Sequence, residues 1–136
     1  MIRVLVADDH EVIRRGLRLL IRHERDLQCV GLACDGVEAV MMAQATVPDV
    51  VVMDLSMPGL DGLAAARELK LSHPHIKVLA LTFRTDMAWR TYAVHAGVVG
   101  YLSKQTHARD IAEAIRCVSR GEVPVGSLVP LAATTG

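Results

Sequence analysis

The chain has 136 residues, a length that suits one domain with one hydrophobic core. Hydrophobic residues make up 51% of it but aromatic residues only 3%, so aliphatic side chains must fill that core. Basic and acidic residues balance at 15 each, which argues against the strong positive field that draws proteins to nucleic acid or anionic membranes.

The cysteines and the N-terminus point to one cellular compartment. Three cysteines without a CxxC spacing disfavour a disulfide framework or a zinc site, so we expect reduced thiols. The chain opens directly on an apolar strand pattern, without the basic and apolar regions of a signal peptide. No apolar run approaches the roughly 18 residues of a membrane span. We therefore expect a cytoplasmic protein with no membrane partner.

The first half of the chain alternates between strand and helix patterns. Apolar runs predict strands at Ile2 to Ala7, Leu27 to Cys34 and Val50 to Met53. Apolar residues at helical spacing predict a first helix from about Glu11 to Arg22, with a buried stripe of Ile13, Leu17, Leu20 and Ile21. Between the second and third strands we expect a helix that Gly36 opens and Pro48 ends, with inward positions at Val37, Val40, Met41 and Ala45.

The second half continues the alternation. A helix is predicted from about Asp61 to Leu71, and Pro74 stops it. A strand over Lys77 to Thr82 leads to a helix that Thr85 and Asp86 cap and that ends near Ala96, with Gly97 after it. A short strand, Gly100 to Ser103, precedes a last helix from about Ala108 to Arg120, whose buried stripe is Ile111, Ile115 and Val118.

Five successive strand–helix units predict a parallel sheet covered by helices on both faces. For so short a chain we expect the flavodoxin-like three-layer α/β/α sandwich, with five strands in the order 2-1-3-4-5 and five helices. Residues 1–121 form this domain in our interpretation. Residues 122–136 lack a sustained apolar period, and we interpret them as a linker or tail.

Polar residues end four of the five strands, and all fall on the carboxyl edge of the predicted sheet. They are Asp8 and Asp9, Asp54, Thr82 and Lys104. Strands one and three flank the switch point, where ligands bind in such folds. Converging acids repel one another unless a cation joins them, and Mg²⁺ prefers oxygen ligands. A carboxylate there can also act as a nucleophile and accept a phosphoryl group.

Together these motifs resemble the receiver domain of two-component response regulators, over about Met1 to Gly121. The start Ala7-Asp8-Asp9-His10 and the end of the last helix are most similar to the NarL/FixJ (LuxR-type) subfamily. The motifs that carry the resemblance are Asp8-Asp9, Asp54-Leu55-Ser56-Met57-Pro58-Gly59-Leu60-Asp61-Gly62, Leu81-Thr82 and Gly100-Tyr101-Leu102-Ser103-Lys104.

The resemblance implies a role for each site residue. Asp54 would be the phosphoacceptor, and with Asp9, Asp8 and the main-chain carbonyl of Ser56 it would hold Mg²⁺. Thr82 would hydrogen-bond the phosphoryl group and Lys104 would pair with it. Tyr101 would be the switch aromatic that turns when Thr82 moves.

The resemblance also implies partners. A sensor histidine kinase would be the phosphodonor, and the domain would switch an output rather than act as an enzyme. That output would be a helix-turn-helix domain absent from this chain, so DNA would be bound only through it. A homodimer is expected, through the first and fifth helices or the fourth and fifth.

Other interpretations stay open. Asp8 and Asp9 could simply cap the first helix, and Tyr101 could be an ordinary strand aromatic. His10 could line the site, although a surface position at the helix start fits it better. The bulky Phe83 stands where the family usually has a small residue, and Gln105 where many receivers have proline. An alternative function is therefore a receiver-like interaction module that switches without phosphorylation, and a third is a phosphotransferase or phosphatase.

Overall fold

The computed structural model describes residues 1–57 and 61–128. Within them five strands and five helices alternate. They are β1 (Ile2–Ala7), α1 (Glu11–Arg22), β2 (Leu27–Ala33), α2 (Gly36–Thr46), β3 (Val50–Met53), α3 (Gly62–Ser72), β4 (Lys77–Thr82), α4 (Met87–His95), β5 (Gly100–Ser103) and α5 (Ala108–Ser119). All ten predicted elements are confirmed, and β2 ends one residue before the predicted Cys34.

The strands form one parallel sheet in the order β2-β1-β3-β4-β5, as predicted. Its centre is almost wholly aliphatic, because the sheet is buried on both faces. Leu5, Val51 and Met53 point to the face that α2, α3 and α4 cover. Val4 and Val52 point to the opposite face, where α1 and α5 pack. Alternation along each strand thus builds two cores from short apolar runs.

The predicted buried stripes of α1 and α5 are confirmed, but that of α2 is wrong. Val40 is buried, whereas Val37, Met41 and Ala45 lie on the exposed side. The buried positions of α2 are instead Gly36, Ala39, Val40 and Ala43. Both stripes of this helix are apolar, and the one with smaller side chains lets α2 approach β2 and α3 closely.

Aspartate side chains fix the start of two helices. Asp35 accepts a hydrogen bond from the Glu38 amide at 2.8 Å, and Asp61 accepts one from the Ala64 amide at 2.8 Å. These are N-cap interactions. A Cβ added to Gly62 would lie 2.2 Å from the carbonyl oxygen of Asp54. The start of α3 is therefore packed directly against the end of β3.

The first part of the predicted linker packs on the sheet. After α5 the chain returns to β5, where Pro124 is buried and Leu128 is partly buried against the α3–α4 core. Residues 129–136, and Pro58, Gly59 and Leu60 of the predicted motif, lie outside the described residues.

All three cysteines lie in the described part of the chain. Cys29, Cys34 and Cys117 are all free thiols. None of the helices in the described ranges is long and apolar enough to cross a bilayer.

Candidate functional site

The carboxyl edge of the sheet brings together the side chains that the sequence pattern placed there. Asp8 follows β1, Asp54 follows β3, Thr82 ends β4 and Lys104 follows β5. Asp8 and Asp54 are each 2% exposed and Thr82 is fully buried, whereas Asp9 lies on the surface beside them. The site is therefore a cluster of polar side chains at the edge of an otherwise aliphatic sheet.

Lys104 joins two of these carboxylates. Its Nζ lies 2.6 Å from Oδ2 of Asp8 and 2.9 Å from Oδ2 of Asp54. Burial opposes the charge on the ammonium, but the hydrogen bonds to Asp8 and Asp54 outweigh burial and raise the pKa of Lys104. The lysine therefore stays a cation between two acids on different strands.

The second oxygen of Asp54 has its own donors. The backbone amide and the hydroxyl of Ser56 donate to Oδ1 at 3.2 and 3.1 Å. Burial alone would raise the pKa of Asp54, but Lys104 and Ser56 together hold it below its usual value. Asp54 is thus a buried carboxylate kept ionised, which is the state a nucleophile requires.

An acidic group suited to a divalent cation lies at the same edge. Ligand atoms of Asp8, Asp9, His10 and Asp54 all lie within 4.8 Å of one another. Three carboxylates facing one ammonium leave an excess of negative charge, and their oxygens suit a hard cation such as Mg²⁺. The donor set fits that ion, and the role of the Ser56 carbonyl stays a prediction.

His10 combines the two positions that the sequence left open, a surface position at the helix start and contact with the site. It precedes α1 as the N-cap and is exposed, as expected, yet its Nδ1 lies 3.1 Å from Asp8 Oδ1 and 3.2 Å from Asp9 Oδ1. The only signal in the sequence was that His10 directly follows the acid pair.

Thr82 and Tyr101 are linked through one residue of the β4–α4 loop. The Thr82 hydroxyl accepts a hydrogen bond from the Arg84 amide at 3.2 Å, and the Tyr101 hydroxyl donates to the Arg84 carbonyl. Tyr101 is fully buried, and burial raises the pKa of its hydroxyl to about 12. The ring therefore already points inward. The part of Arg84 was not predicted, because it acts through its backbone.

Phe83 lies beside the site rather than in the core. Its side chain is 60% exposed, and its ring centroid lies 5.2 Å from Nζ of Lys104. This distance allows a cation–π interaction, so the Phe83 ring attracts the ammonium of Lys104. The described peptide bonds include no cis bond, and the one between Lys104 and Gln105 is trans.

The strand order of this parallel sheet and the buried, ionised acid at its switch point together indicate the class of protein to which the chain belongs. Residues 4–116 match the family model described as the response regulator receiver domain. The chain therefore belongs to that family, and its relatives place it with the NarL/FixJ-type receivers of two-component systems.

Two relatives and one solved structure illustrate the similarity. The response regulator GacA of Pseudomonas viridiflava is 43% identical over 90% of this chain and 57% of its own length. The transcriptional regulatory protein LiaR of Bacillus subtilis is 41% identical over 95% of this chain and 61% of its own. The receiver domain of a NarL regulator from Mycobacterium tuberculosis superimposes with a TM-score of 0.86 at 30% identity, covering 89% of this chain and 98% of that one. The chain thus spans about three fifths of these curated relatives.

Proposed function

We propose that this receiver is activated by phosphorylation on Asp54, with a sensor histidine kinase as the phosphodonor. The observation that carries the proposal is the buried Asp54 carboxylate, which Lys104 and Ser56 keep ionised at the end of β3. A surface acid would have no need of such support. The ammonium of Lys104 also offsets part of the negative charge that a phosphoryl group brings to this carboxylate.

The proposed step transfers a phosphoryl group from a phosphohistidine to Asp54. A carboxylate oxygen of Asp54 attacks the phosphorus of a phosphohistidine, so that a P–O bond forms and the P–N bond breaks. The electron pair of the broken bond stays on the imidazole nitrogen. The product is an aspartyl phosphate, whose phosphoryl group carries a charge of about −1.5 to −2 in place of the single charge of the carboxylate and lies next to the ammonium of Lys104.

Asp8, Asp9 and Asp54 are the residues we propose to hold Mg²⁺, with the Ser56 carbonyl as a further ligand. When bound, the cation would neutralise negative charge on the phosphoryl oxygens and the acids. The proposal is supported by the described ligand atoms of these three acids and of His10, which lie within 4.8 Å of one another.

The output of the domain is proposed to depend on Thr82 and Tyr101. Drawing the Thr82 hydroxyl toward a phosphoryl oxygen would favour the inward ring of Tyr101 and bias α4, β5 and α5 toward one state. Shifting such a switch from mostly off to mostly on takes about 5.5 kcal/mol of differential stabilisation.

The downstream partners are proposed by analogy with the relatives. One of them is a transcriptional regulatory protein, so we propose a transcriptional output in the cytoplasm. Residues 122–136 would lead toward a helix-turn-helix domain, and DNA would be bound through that domain. A homodimer through α1 and α5, or through α4 and α5, would support such an output.

A second candidate function has its own observation. Lys104 already satisfies Asp8 and Asp54, and Phe83 lies over its ammonium. A receiver-like module that binds partners without phosphorylation would keep its buried acids paired with a lysine in this way. It predicts that a phosphodonor leaves the protein unmodified.

Phosphoryl uptake separates the two functions. The protein is incubated with Mg²⁺ and acetyl phosphate, and its intact mass is measured. We expect the wild-type protein to gain one phosphoryl group and Asp54→Asn to gain none. Asp110→Asn is the matched control, since it removes an acid at an exposed position of α5 and should react like the wild type.

Two outcomes would contradict the proposal. Uptake by Asp54→Asn at the wild-type rate would move the acceptor to another residue. No uptake by a folded wild-type protein at millimolar Mg²⁺ would favour the module that switches without phosphorylation.

A further inference from the structure

The outer edge of β5 is covered by a segment of the chain itself. We call residues 122–128 the latch. The Tyr101 amide donates to the hydroxyl of Ser127 at 3.1 Å, and the Leu128 amide donates to the carbonyl oxygen of Tyr101 at 2.8 Å. In a parallel strand the two backbone groups of one residue point to the same side. The latch therefore satisfies the outward backbone groups of Tyr101 on an edge strand.

Besides Ser127, two side chains of the latch attach it to the domain. Pro124 is buried and lies where a Cβ on Gly100 would meet its ring at 3.2 Å. Leu128 packs against the same core as the Tyr101 ring. The neighbouring Val123 and Val125 are exposed. Because the latch makes few contacts, its detachment should cost much less free energy than unfolding of the whole domain. Such a low cost suits a reversible attachment.

Tyr101 connects this latch to the carboxyl edge of the sheet. On one side its hydroxyl donates a hydrogen bond to the Arg84 carbonyl, and the Arg84 amide donates one to the Thr82 hydroxyl. On the other side its backbone amide donates to the Ser127 hydroxyl, and its carbonyl accepts from the Leu128 amide. One residue thus contacts both the loop beside the candidate site and the segment that leaves the domain.

We infer that the latch docks on β5 when the Tyr101 ring is inward and is released when the ring turns outward. The ring and Leu128 share one side of β5, so a ring that leaves the core between β5 and α4 meets the edge that Leu128 covers. In its phosphoryl-dependent part the inference rests on the proposed function, because the inward ring is the state that phosphorylation favours there. The occupant of this edge is the chain's own segment.

Amide hydrogen exchange measured by NMR on the 136-residue protein tests the docking. The Tyr101 and Leu128 amides should be protected in the wild type. Ser127→Ala should speed exchange at Tyr101 by tenfold or more, because it removes the acceptor. Thr91→Ala is the control, since it removes an exposed hydroxyl that bonds only within α4, and it should leave both amides unchanged.

The coupling is tested by Tyr101→Phe, which keeps the ring and removes its hold on Arg84. We expect exchange at Leu128 to speed up by threefold or more while the far-ultraviolet circular dichroism is unchanged. If Ser127→Ala acts as expected but Tyr101→Phe leaves Leu128 unchanged, the latch is attached but not coupled, and the inference fails.

Phosphorylation provides a second test of the coupling, in which failure of the inference differs from failure of the proposed function. Mass spectrometry first shows whether acetyl phosphate and Mg²⁺ have modified the protein. In modified protein, exchange at Leu128 should slow by threefold or more, and unchanged exchange there would overturn the inference while the proposed function stands. If the protein is not modified, the proposed function fails and the two variants alone decide the coupling.

Discussion

Lys104 supplies an ammonium to the two buried carboxylates of the site. It reaches Asp8 and Asp54, which follow different strands, and each of the three side chains is almost fully buried. Removing one partner from such a group leaves uncompensated buried charge, which is far more costly than the net value of the intact pair. The lysine is therefore a structural element of the apoprotein as well as a candidate phosphoryl partner.

Replacing this lysine tests the electrostatic role directly. Lys104→Met should lower the free energy of unfolding by about 3 kcal/mol at neutral pH, because two buried carboxylates then face each other. Urea unfolding measures it, and millimolar Mg²⁺ should recover part of the loss by supplying another cation. Lys77→Met is the control, since that lysine starts β4 at the opposite edge of the sheet and should change stability by less than about 0.5 kcal/mol. Equal losses in the two variants would contradict this role.

At the scale of single residues, the sequence predicted the acids, Thr82 and Lys104, because each ends a recognisable strand. It did not predict the contacts of His10 with both acids, since a histidine at a helix start is usually solvated. Nor did it predict Arg84, whose backbone joins Thr82 to Tyr101. Main-chain contacts leave no signature in residue identity.

At the scale of elements, the close approach of α3 to the end of β3 positions Asp54. Gly62 opens α3, and any Cβ there would overlap the Asp54 carbonyl and lie 2.5 Å from the Cα of Leu55. Backbone atoms cannot move aside as a flexible side chain can. A glycine at this position is therefore required by packing, although its φ angle is ordinary for a helix.

A pair of glycine substitutions tests that packing. Gly62→Ala should lower the free energy of unfolding by about 2 kcal/mol, because it overpacks the junction of β3 and α3. Gly16→Ala, in the middle of α1 with no atom within 4 Å of an added Cβ, should instead raise it by about 0.5–1 kcal/mol. Thermal or urea unfolding of both variants distinguishes the cases. A gain in stability for Gly62→Ala would show that the junction is looser than described.

The elements themselves were largely predictable. Apolar runs, helical periodicity and helix-ending glycines and prolines placed all ten, and parallel pairing followed from their alternation. The wrong inward face of α2 shows where the pattern fails. Val37 and Met41 are more apolar than Ala39 and Ala43, but the smaller residues face inward because the neighbouring helix lies close. Hydrophobicity alone does not report the distance between elements.

At the scale of the whole molecule, an ion-pair group ties α5 to the turn between α1 and β2. Arg116 contacts Asp26 through two nitrogens at 2.7 and 2.9 Å, with Glu24 and Glu113 at 3.3 Å. The hydrogen bonds from Arg116 hold the pKa of Asp26 below its usual value. The group therefore links α5 to the residues that precede β2.

The pH dependence of stability follows from the sign of that shift. The unfolded chain binds a proton at Asp26 near its ordinary pKa of about 3.9, whereas the folded protein binds it only at lower pH. The contribution is therefore complete above about pH 5 and is lost as the pH falls through the folded pKa. Melting temperatures should fall less on acidification for Asp26→Asn than for the wild type or Asp110→Asn. Identical acid profiles for all three proteins would contradict this assignment.

The latch lies at the end of the described chain, and the sequence did not predict its contacts. Composition and period indicated only a linker after Gly121, because Pro124 and Leu128 form no repeating pattern. Their contacts with β5 appear only in three dimensions. The sequence therefore did not predict that this segment binds beside the backbone of Tyr101.

The position of the phosphoryl group on the chain decides whether Asp54 is the acceptor. An aspartyl phosphate is an acyl phosphate, and borohydride reduces it to a homoserine residue that peptide mass spectrometry can place. After reaction with acetyl phosphate and Mg²⁺, we predict homoserine at position 54 and at no other aspartate. Homoserine at another aspartate, or none in protein that has gained a phosphoryl group, would contradict the account.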